Sequence, residues 1–266
     1  MKTYDIAILG AGNLGQALAR GFADKFSPKN IILTRRHSFR LDEFKEQGFG
    51  VSSDNVFAAE SSQYIVMCVQ PKQLAGLIKE IGPALDPQKH VLVSTITGVT
   101  LDKIQNYLQG DFPIIRAMPN TAAAISESMT CICGNELAGA NLPKVEQMFK
   151  GLGETLIIEE RHMKAATVLA ASGIAFFLRY IRAATQGGIE LGFEAGEAQK
   201  IAMYTARGAA SLLMEGSAHP EQEIDRVTTP MGCTIAGLNE MEHQGLSSAL
   251  IKGIVTSFNK INQITE

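Results

Sequence analysis

Tyr4-Asp5-Ile6-Ala7-Ile8-Leu9-Gly10-Ala11-Gly12-Asn13-Leu14-Gly15 reads as a strand that runs directly into a phosphate cradle. Ile6 to Leu9 is the apolar run of a buried parallel strand. Gln16 to Phe22 reads as a helix, with Leu14, Leu18 and Phe22 along one face. Each glycine has its own physical reason. Gly10 allows the tight turn out of the strand, Gly12 lets the backbone approach a pyrophosphate, and Gly15 lets helix pack close on strand. The helix N-terminus offers unpaired N–H groups and a positive dipole end to that pyrophosphate. A G-x-G-x-x-G pattern alone is weak, but here a strand precedes it and a helix follows, the context that dinucleotide binding needs.

Asn30-Ile31-Ile32-Leu33-Thr34 reads as the second strand of the unit, and Arg35-Arg36 stand at its end. A site that prefers NAD places an Asp or Glu there for the ribose 2′-OH. Two guanidiniums instead suit a 2′-phosphate through fork-shaped, charge-assisted hydrogen bonds. NADP(H) is therefore the expected cofactor, with NAD(H) possible; the bland alternative is a solvated surface pair.

With 266 residues, 45% of them apolar, the chain can hold one large domain or two modest ones. A formal charge of −3 with scattered basic residues gives no electrostatic reason to expect a nucleic-acid partner. Cys68, Cys131, Cys133 and Cys233 have neither C-x-x-C spacing nor a secreted disulfide pattern, so reduced thiols and no metal are expected. Cys68 reads as a small buried residue of a strand, while Cys131 and Cys133 point to one face of another. Met1-Lys2-Thr3 leads straight into the first strand, which reads as no secretory signal. The uncharged run Ala165–Leu178 falls short of the ~20 residues that a membrane span needs and reads as a buried helix. The expectation is a cytoplasmic protein with no membrane partner.

Strand candidates lie at 4–9, 30–34, 64–69, 91–95, 112–116, 128–133 and 155–158, alternating with helical stretches. The fold class expected is α/β: a Rossmann-type doubly wound sheet over residues 1–160, followed by an all-α dimerisation domain over 161–266. Ligands sit beyond the carboxyl ends of strands in such sheets, so loops 10–15, 35–36, 70–71, 94–98 and 118–121 should face one crevice. Residues 162–186 read as one long helix, apolar on more than one face through Met163, Ala166, Leu169, Ala170, Ile174, Phe177, Leu178 and Ile181. It is either a core helix of its own domain or, the favoured reading, part of a domain that interleaves with another subunit.

Two segments of the second half look built for a ligand. Glu159-Glu160 precede the long helix, and Ala171-Ser172-Gly173 lie inside it, where a glycine costs about 1 kcal/mol relative to alanine and suggests a close approach. Val227-Thr228-Thr229-Pro230-Met231-Gly232-Cys233-Thr234 leads into a helix expected at 235–243. There amides and a capping threonine could hold a small carboxylate, or Thr234 could be an ordinary N-cap.

Gly10-Ala11-Gly12-Asn13-Leu14-Gly15, Arg116-Ala117-Met118-Pro119-Asn120-Thr121 and the block from Val227 to Gly237 carry a resemblance to the pyrroline-5-carboxylate reductase family over nearly the whole length. The resemblance implies a dinucleotide domain and a helical domain that forms an intertwined homodimer, often assembled into a larger ring. It implies NAD(P)H-dependent reduction of a small molecule, the ring C=N bond of pyrroline-5-carboxylate, to L-proline. Asn55, Gln70 and Pro71 would then line the cofactor crevice with Gly10, Ala11, Gly12, Asn13, Leu14, Gly15, Arg35 and Arg36, and Asn120 would lie near the nicotinamide. Glu160 would sit at the substrate. Gly232, Cys233 and Thr234 would hold its carboxylate by backbone amides, with the Thr234 hydroxyl as the catalytic group near the ring nitrogen.

The chain departs from the family pattern at three places. Ala170-Ala171-Ser172-Gly173-Ile174-Ala175-Phe176 replaces Ser-Gly-Ser-Gly-Pro-Ala-aromatic, Pro230-Met231-Gly232 replaces Pro-Gly-Gly, and Gln70 replaces Lys. These leave reduction of a related cyclic imine, or non-catalytic NADPH binding, as alternatives. A β-hydroxyacid dehydrogenase would need a lysine shortly after Gly173, and none follows before Arg179. None of His37, His90, His162, His219 and His243 has triad or metal spacing. A protonated cyclic imine is already electrophilic and asks for orientation more than for a strong acid.

Overall fold

A computed structural model of the chain describes residues 3–264; Met1 and Lys2, on which the reading of no secretory signal partly rests, and Thr265 and Glu266 lie outside them. Among the described residues eight strands form one sheet: β1 (Ile6–Leu9), β2 (Ile31–Thr34), β3 (Gly50–Ser52), β4 (Tyr64–Met67), β5 (Val91–Ser94), β6 (Ile114–Met118), β7 (Ser128–Gly134) and β8 (Gly153–Ile157). Their spatial order is β3-β2-β1-β4-β5-β6-β7-β8. The first six run parallel, while β7 pairs antiparallel to β6 and parallel to β8. Helices α1 (Asn13–Ala23), α2 (Asp42–Glu46), α3 (Asn55–Glu60), α4 (Leu74–Ile81), α5 (Leu101–Gln105) and α6 (Leu142–Lys150) connect the strands.

Alternation along the strands fills two cores at once. Ile6, Ile8, Leu33, Val66 and Val93 join Leu18 and Phe22 of α1 and Phe149 of α6 on one face. Ala7, Leu9, Ile32, Ile65 and Leu92 join Ala58 of α3, Ile78 of α4 and Ile104 of α5 on the other. Continuous apolar strands such as Ile6-Ala7-Ile8-Leu9 are thus required, because both faces of a doubly wound sheet are covered. The short edge strand β3 has no such signature: Gly50-Val51-Ser52 is half polar, and pairing with β2 alone makes it a strand.

The rest is helical: α7 (Met163–Ala166), α8 (Gly173–Glu190), α9 (Ala195–Glu215), α10 (Pro220–Val227), α11 (Cys233–His243) and α12 (Leu246–Ile264). The chain divides into two compact units, residues up to Ser172 with those from Ser257 onward, and Gly173–Thr256. The division falls later than residue 160 because Met163, Ala166, Thr167 and Val168 are buried and the first two belong to the core beneath the sheet.

The long helix is not one regular α-helix. Between α7 and α8, residues Thr167–Ser172 form a wider π-helical segment. Its second half is not buried by its own chain, as a core helix of its own domain would be: Phe177 is 72% exposed and Leu178 59%. By length and composition alone the run Glu160–Glu190 is apolar enough to cross a membrane, which the uncharged stretch within it is not. Its first turns, however, sit in the sheet core, which a lipid-embedded helix could not do.

Candidate functional site

The order of the sheet reverses between β1 and β4, the switch point at which doubly wound sheets bind ligands. The glycine loop lies there because its backbone demands it. Gly10 has φ +96°, and a Cβ on it would lie 2.8 Å from Val69 Cγ1 and 2.9 Å from the Cys68 carbonyl, so the chain just beyond β4 closes against the turn. A Cβ on Gly15 would lie 2.8 Å from the Gly10 carbonyl. A Cβ on Gly12 meets nothing within 4 Å, leaving open space above exposed Gly12 and Asn13. Helix α1 starts there with no side-chain cap and no acidic residue in its first turn. Its first amides are unsatisfied within the helix, so the cradle fits the pyrophosphate of a dinucleotide.

The end of β2 is tied to this loop. Ala11 N donates to the Thr34 carbonyl at 2.8 Å, and Arg35 Nη1 donates to the Ala11 carbonyl at 3.2 Å. Arg35 is thereby half-buried and turned toward the glycine loop, whereas Arg36 is exposed. Thr34 Oγ1 donates to Asn55 Oδ1 at 2.6 Å, and Asn55 Nδ2 donates to both carboxylate oxygens of Glu80, at 3.2 and 3.1 Å. Asn55 is thus held at the β2 end, beside the arginines named from the sequence, while Glu80 carried no signal because it arrives from α4. Gln70 N donates to Gln73 Oε1 and opens the turn at Pro71, which follows β4.

Asn120 ties the Met-Pro-Asn loop to the π-helical segment. Its Oδ1 accepts from Ala122 N (2.9 Å), its backbone N–H donates to Ser128 Oγ (3.0 Å), and its Nδ2 donates to the Ala170 carbonyl (3.1 Å). A π-turn leaves carbonyls without their regular helical partners, and Asn120 takes one of them. Two segments singled out in the sequence meet here, but through a structural bond that neither pattern announces.

Glu160 is a hub within the first unit. Its Oε1 accepts from Arg116 Nη1 at 2.9 Å and from Leu101 N at 2.7 Å, so it neutralises a guanidinium that is only 2% exposed and takes up the first amide of helix α5, whose N-cap is Thr100. Glu160 itself is 29% exposed, and Oε1 is the oxygen that these partners occupy. Glu159, by contrast, is exposed and pairs with Arg161. Cys133 faces the same charged pair, and burial pushes its thiol up to about 11, with Arg116 opposing. Burial likewise pushes Cys68 up to about 12 despite the hydrogen bond from Thr95. All four cysteines are free, and no three His, Cys, Asp or Glu side chains gather as a metal site among the described residues. His90 is buried with Nδ1 accepting from Asp86 N at 2.8 Å, and burial lowers its pKa, as suits a structural imidazole.

In the second unit, Thr229-Pro230-Met231-Gly232 closes a turn through Gly232 N to the Thr229 carbonyl at 2.9 Å. That bond takes up one of the three amides expected to face a carboxylate; the Cys233 and Thr234 amides remain in the open first turn of α11. The helix begins at Cys233 with Gly232 as N-cap and no capping side chain. Thr234 is therefore not the N-cap that the sequence allowed, but an exposed residue of the first turn. Met231 holds φ +58° and is fully exposed, a conformation that usually falls to glycine. Gly232 has no such latitude, since a Cβ there would lie 2.4 Å from Thr229 Oγ1.

Residues 160–264 match the family model described as pyrroline-5-carboxylate reductase dimerisation, and residues 5–98 match one described as NADP oxidoreductase, coenzyme F420-dependent. The chain is 45% identical to pyrroline-5-carboxylate reductase 2 of Dictyostelium discoideum, over 96% of this chain and 91% of that protein. It is 44% identical to pyrroline-5-carboxylate reductase 1 of the same organism over 98% of this chain, but spans only 50% of that longer protein. Among solved structures, the fold is similar to the NADP-bound Plasmodium falciparum pyrroline carboxylate reductase, with TM-score 0.91, 21% identity and full coverage of both chains.

Proposed function

Since the chain belongs to the pyrroline-5-carboxylate reductase family, we propose that it reduces pyrroline-5-carboxylate to L-proline with NADP(H). The observation that carries this reading is the pairing, in one chain, of an open glycine cradle with an uncapped, unencumbered helix start at Cys233-Thr234. The amides at Asn13 and Leu14 bind the pyrophosphate, the Gly12 amide being taken up by the Gly10 carbonyl at 2.7 Å, and Arg36 with Arg35 receives the 2′-phosphate. Asn55, Gln70 and Pro71 line the same crevice, and Asn120 borders its nicotinamide end. The bound nucleotide supplies a hydride to the imine carbon.

The Cys233 and Thr234 amides orient the substrate carboxylate, and Gly232 shapes the turn that presents them. The Thr234 hydroxyl hydrogen-bonds the ring nitrogen, which keeps its proton and becomes the secondary amine of proline. Glu160 contributes by fixing Arg116 and the start of α5, with its second carboxylate oxygen left for the substrate. Orientation of this kind suffices because the protonated imine is already electrophilic. The exposed apolar helices of the second unit associate with those of a second copy, as the description of the matching family model suggests. Free thiols suit a reducing compartment, and we place the activity in the cytoplasm.

Thr234→Ala tests the assignment. It should lower turnover of pyrroline-5-carboxylate on the order of a hundred-fold while the dissociation constant of NADPH stays put. Normal turnover in that variant would remove the hydroxyl from the mechanism.

A further inference from the structure

The β2 end carries an acidic group as well as the two arginines, and it comes from a different part of the chain. Asn55 links Thr34, at the tip of β2, to the carboxylate of Glu80 on α4 through three hydrogen bonds of 2.6 to 3.2 Å. Arg35 spends one nitrogen on the Ala11 carbonyl, and no ion-pair partner among the described residues draws Glu80 toward either arginine. Glu80 is exposed, and its carboxylate lies one side chain away from the place where the adenosine ribose 2′ group lies in this architecture.

We propose that Glu80 is a cofactor-selectivity residue, one that weakens the advantage of a 2′-phosphate over a 2′-hydroxyl. The inference rests on the reading of the first unit as the nucleotide site. Two effects act in the same direction. The carboxylate repels a 2′-phosphate, which carries nearly two negative charges, but not a neutral hydroxyl. It also engages the Asn55 amide, the donor that would otherwise turn toward the phosphate, and leaves Asn55 with an orientation fixed by Thr34. The chain should therefore use NADH better than its arginine pair alone suggests. Selectivity is then a balance between Arg36 and Glu80 rather than a property of the β2 end by itself.

The test is direct titration of the full-length protein with NADPH and with NADH, without imine, following nucleotide fluorescence. Glu80→Gln keeps an acceptor for the Asn55 amide and removes only the charge. It should tighten NADPH relative to NADH on the order of five-fold, with the shift shrinking as salt is raised. Glu80→Ala should show the same relative shift with an added loss for both nucleotides, because Asn55 is no longer held. An unchanged ratio in Glu80→Gln, with both nucleotides still binding, overturns the inference while the site assignment stands. A wild-type chain that binds neither nucleotide defeats the site assignment, and the inference with it.

Discussion

The two units bury their apolar residues by opposite means. In the first, β1 is wholly enclosed, and the helices on both faces of the sheet complete two cores without outside help. In the second, Phe177, Leu178, Tyr180, Ile251 and Val255 all lie largely exposed on helices that are well formed along their length. Helices that present apolar side chains on several sides gain most of their stability from packing, and a single copy of the second unit offers too little of it. The sheet unit is a self-sufficient platform; the helical unit leaves much of its apolar surface bare. That contrast also explains why a helix read from the sequence as buried is bare in the chain alone.

The strongest way to break the comparison is to put charge on the bare face. Phe177→Asp with Leu178→Asp should cost an associated pair about 3 kcal/mol or more, since each substitution enters a symmetric interface twice. Sedimentation should then report single chains where the parent protein reports pairs. If the variant associates as tightly as the parent, the exposed face is not the interface and the contrast between the units loses its meaning.

A change inside the self-sufficient unit should act differently, on stability first. Glu160→Ala leaves Arg116 buried without its charge partner and the Leu101 amide without its acceptor, which should cost about 3–5 kcal/mol in denaturant unfolding. Glu160→Gln should recover part of this, because an amide oxygen still accepts from Leu101 N. The substrate role proposed for Glu160 adds a raised Michaelis constant for the imine; an unfolding midpoint unmoved by Glu160→Ala would leave that as its only role.

The smallest effect belongs to the turn before α11. Met231 in a left-handed conformation stores strain, so Met231→Gly should raise the stability by no more than about 1 kcal/mol, part of the gain being lost to the freer unfolded chain. A clear drop in melting temperature would mean that the methionine makes contacts in the assembled protein that outweigh its backbone cost.

What could be read from residues alone follows the range of the interactions involved. The strand, the glycines and the following helix are a local pattern, so Ile6 to Phe22 disclosed both fold class and cradle. The texture change near Arg161 disclosed the helical half. Gly50-Val51-Ser52 was silent because an edge strand this short is made by its neighbour. Thr34, Asn55 and Glu80 meet only through the packing of α3 and α4, and Arg116, inside β6, meets Glu160 only because the chain leaves β8 level with it, two strands away. The π-helical segment carries no periodic signature either; a glycine inside an apolar helix was its only trace. The start of α11 was misplaced by a small margin, and that margin decides whether Thr234 caps a helix or faces a ligand.

The most direct measurement mixes the purified chain with NADPH and pyrroline-5-carboxylate and follows reduced-nicotinamide absorbance together with proline formation. The account predicts that one proline appears for each NADPH consumed. NADPH that binds but is never oxidised in the presence of the imine would contradict it.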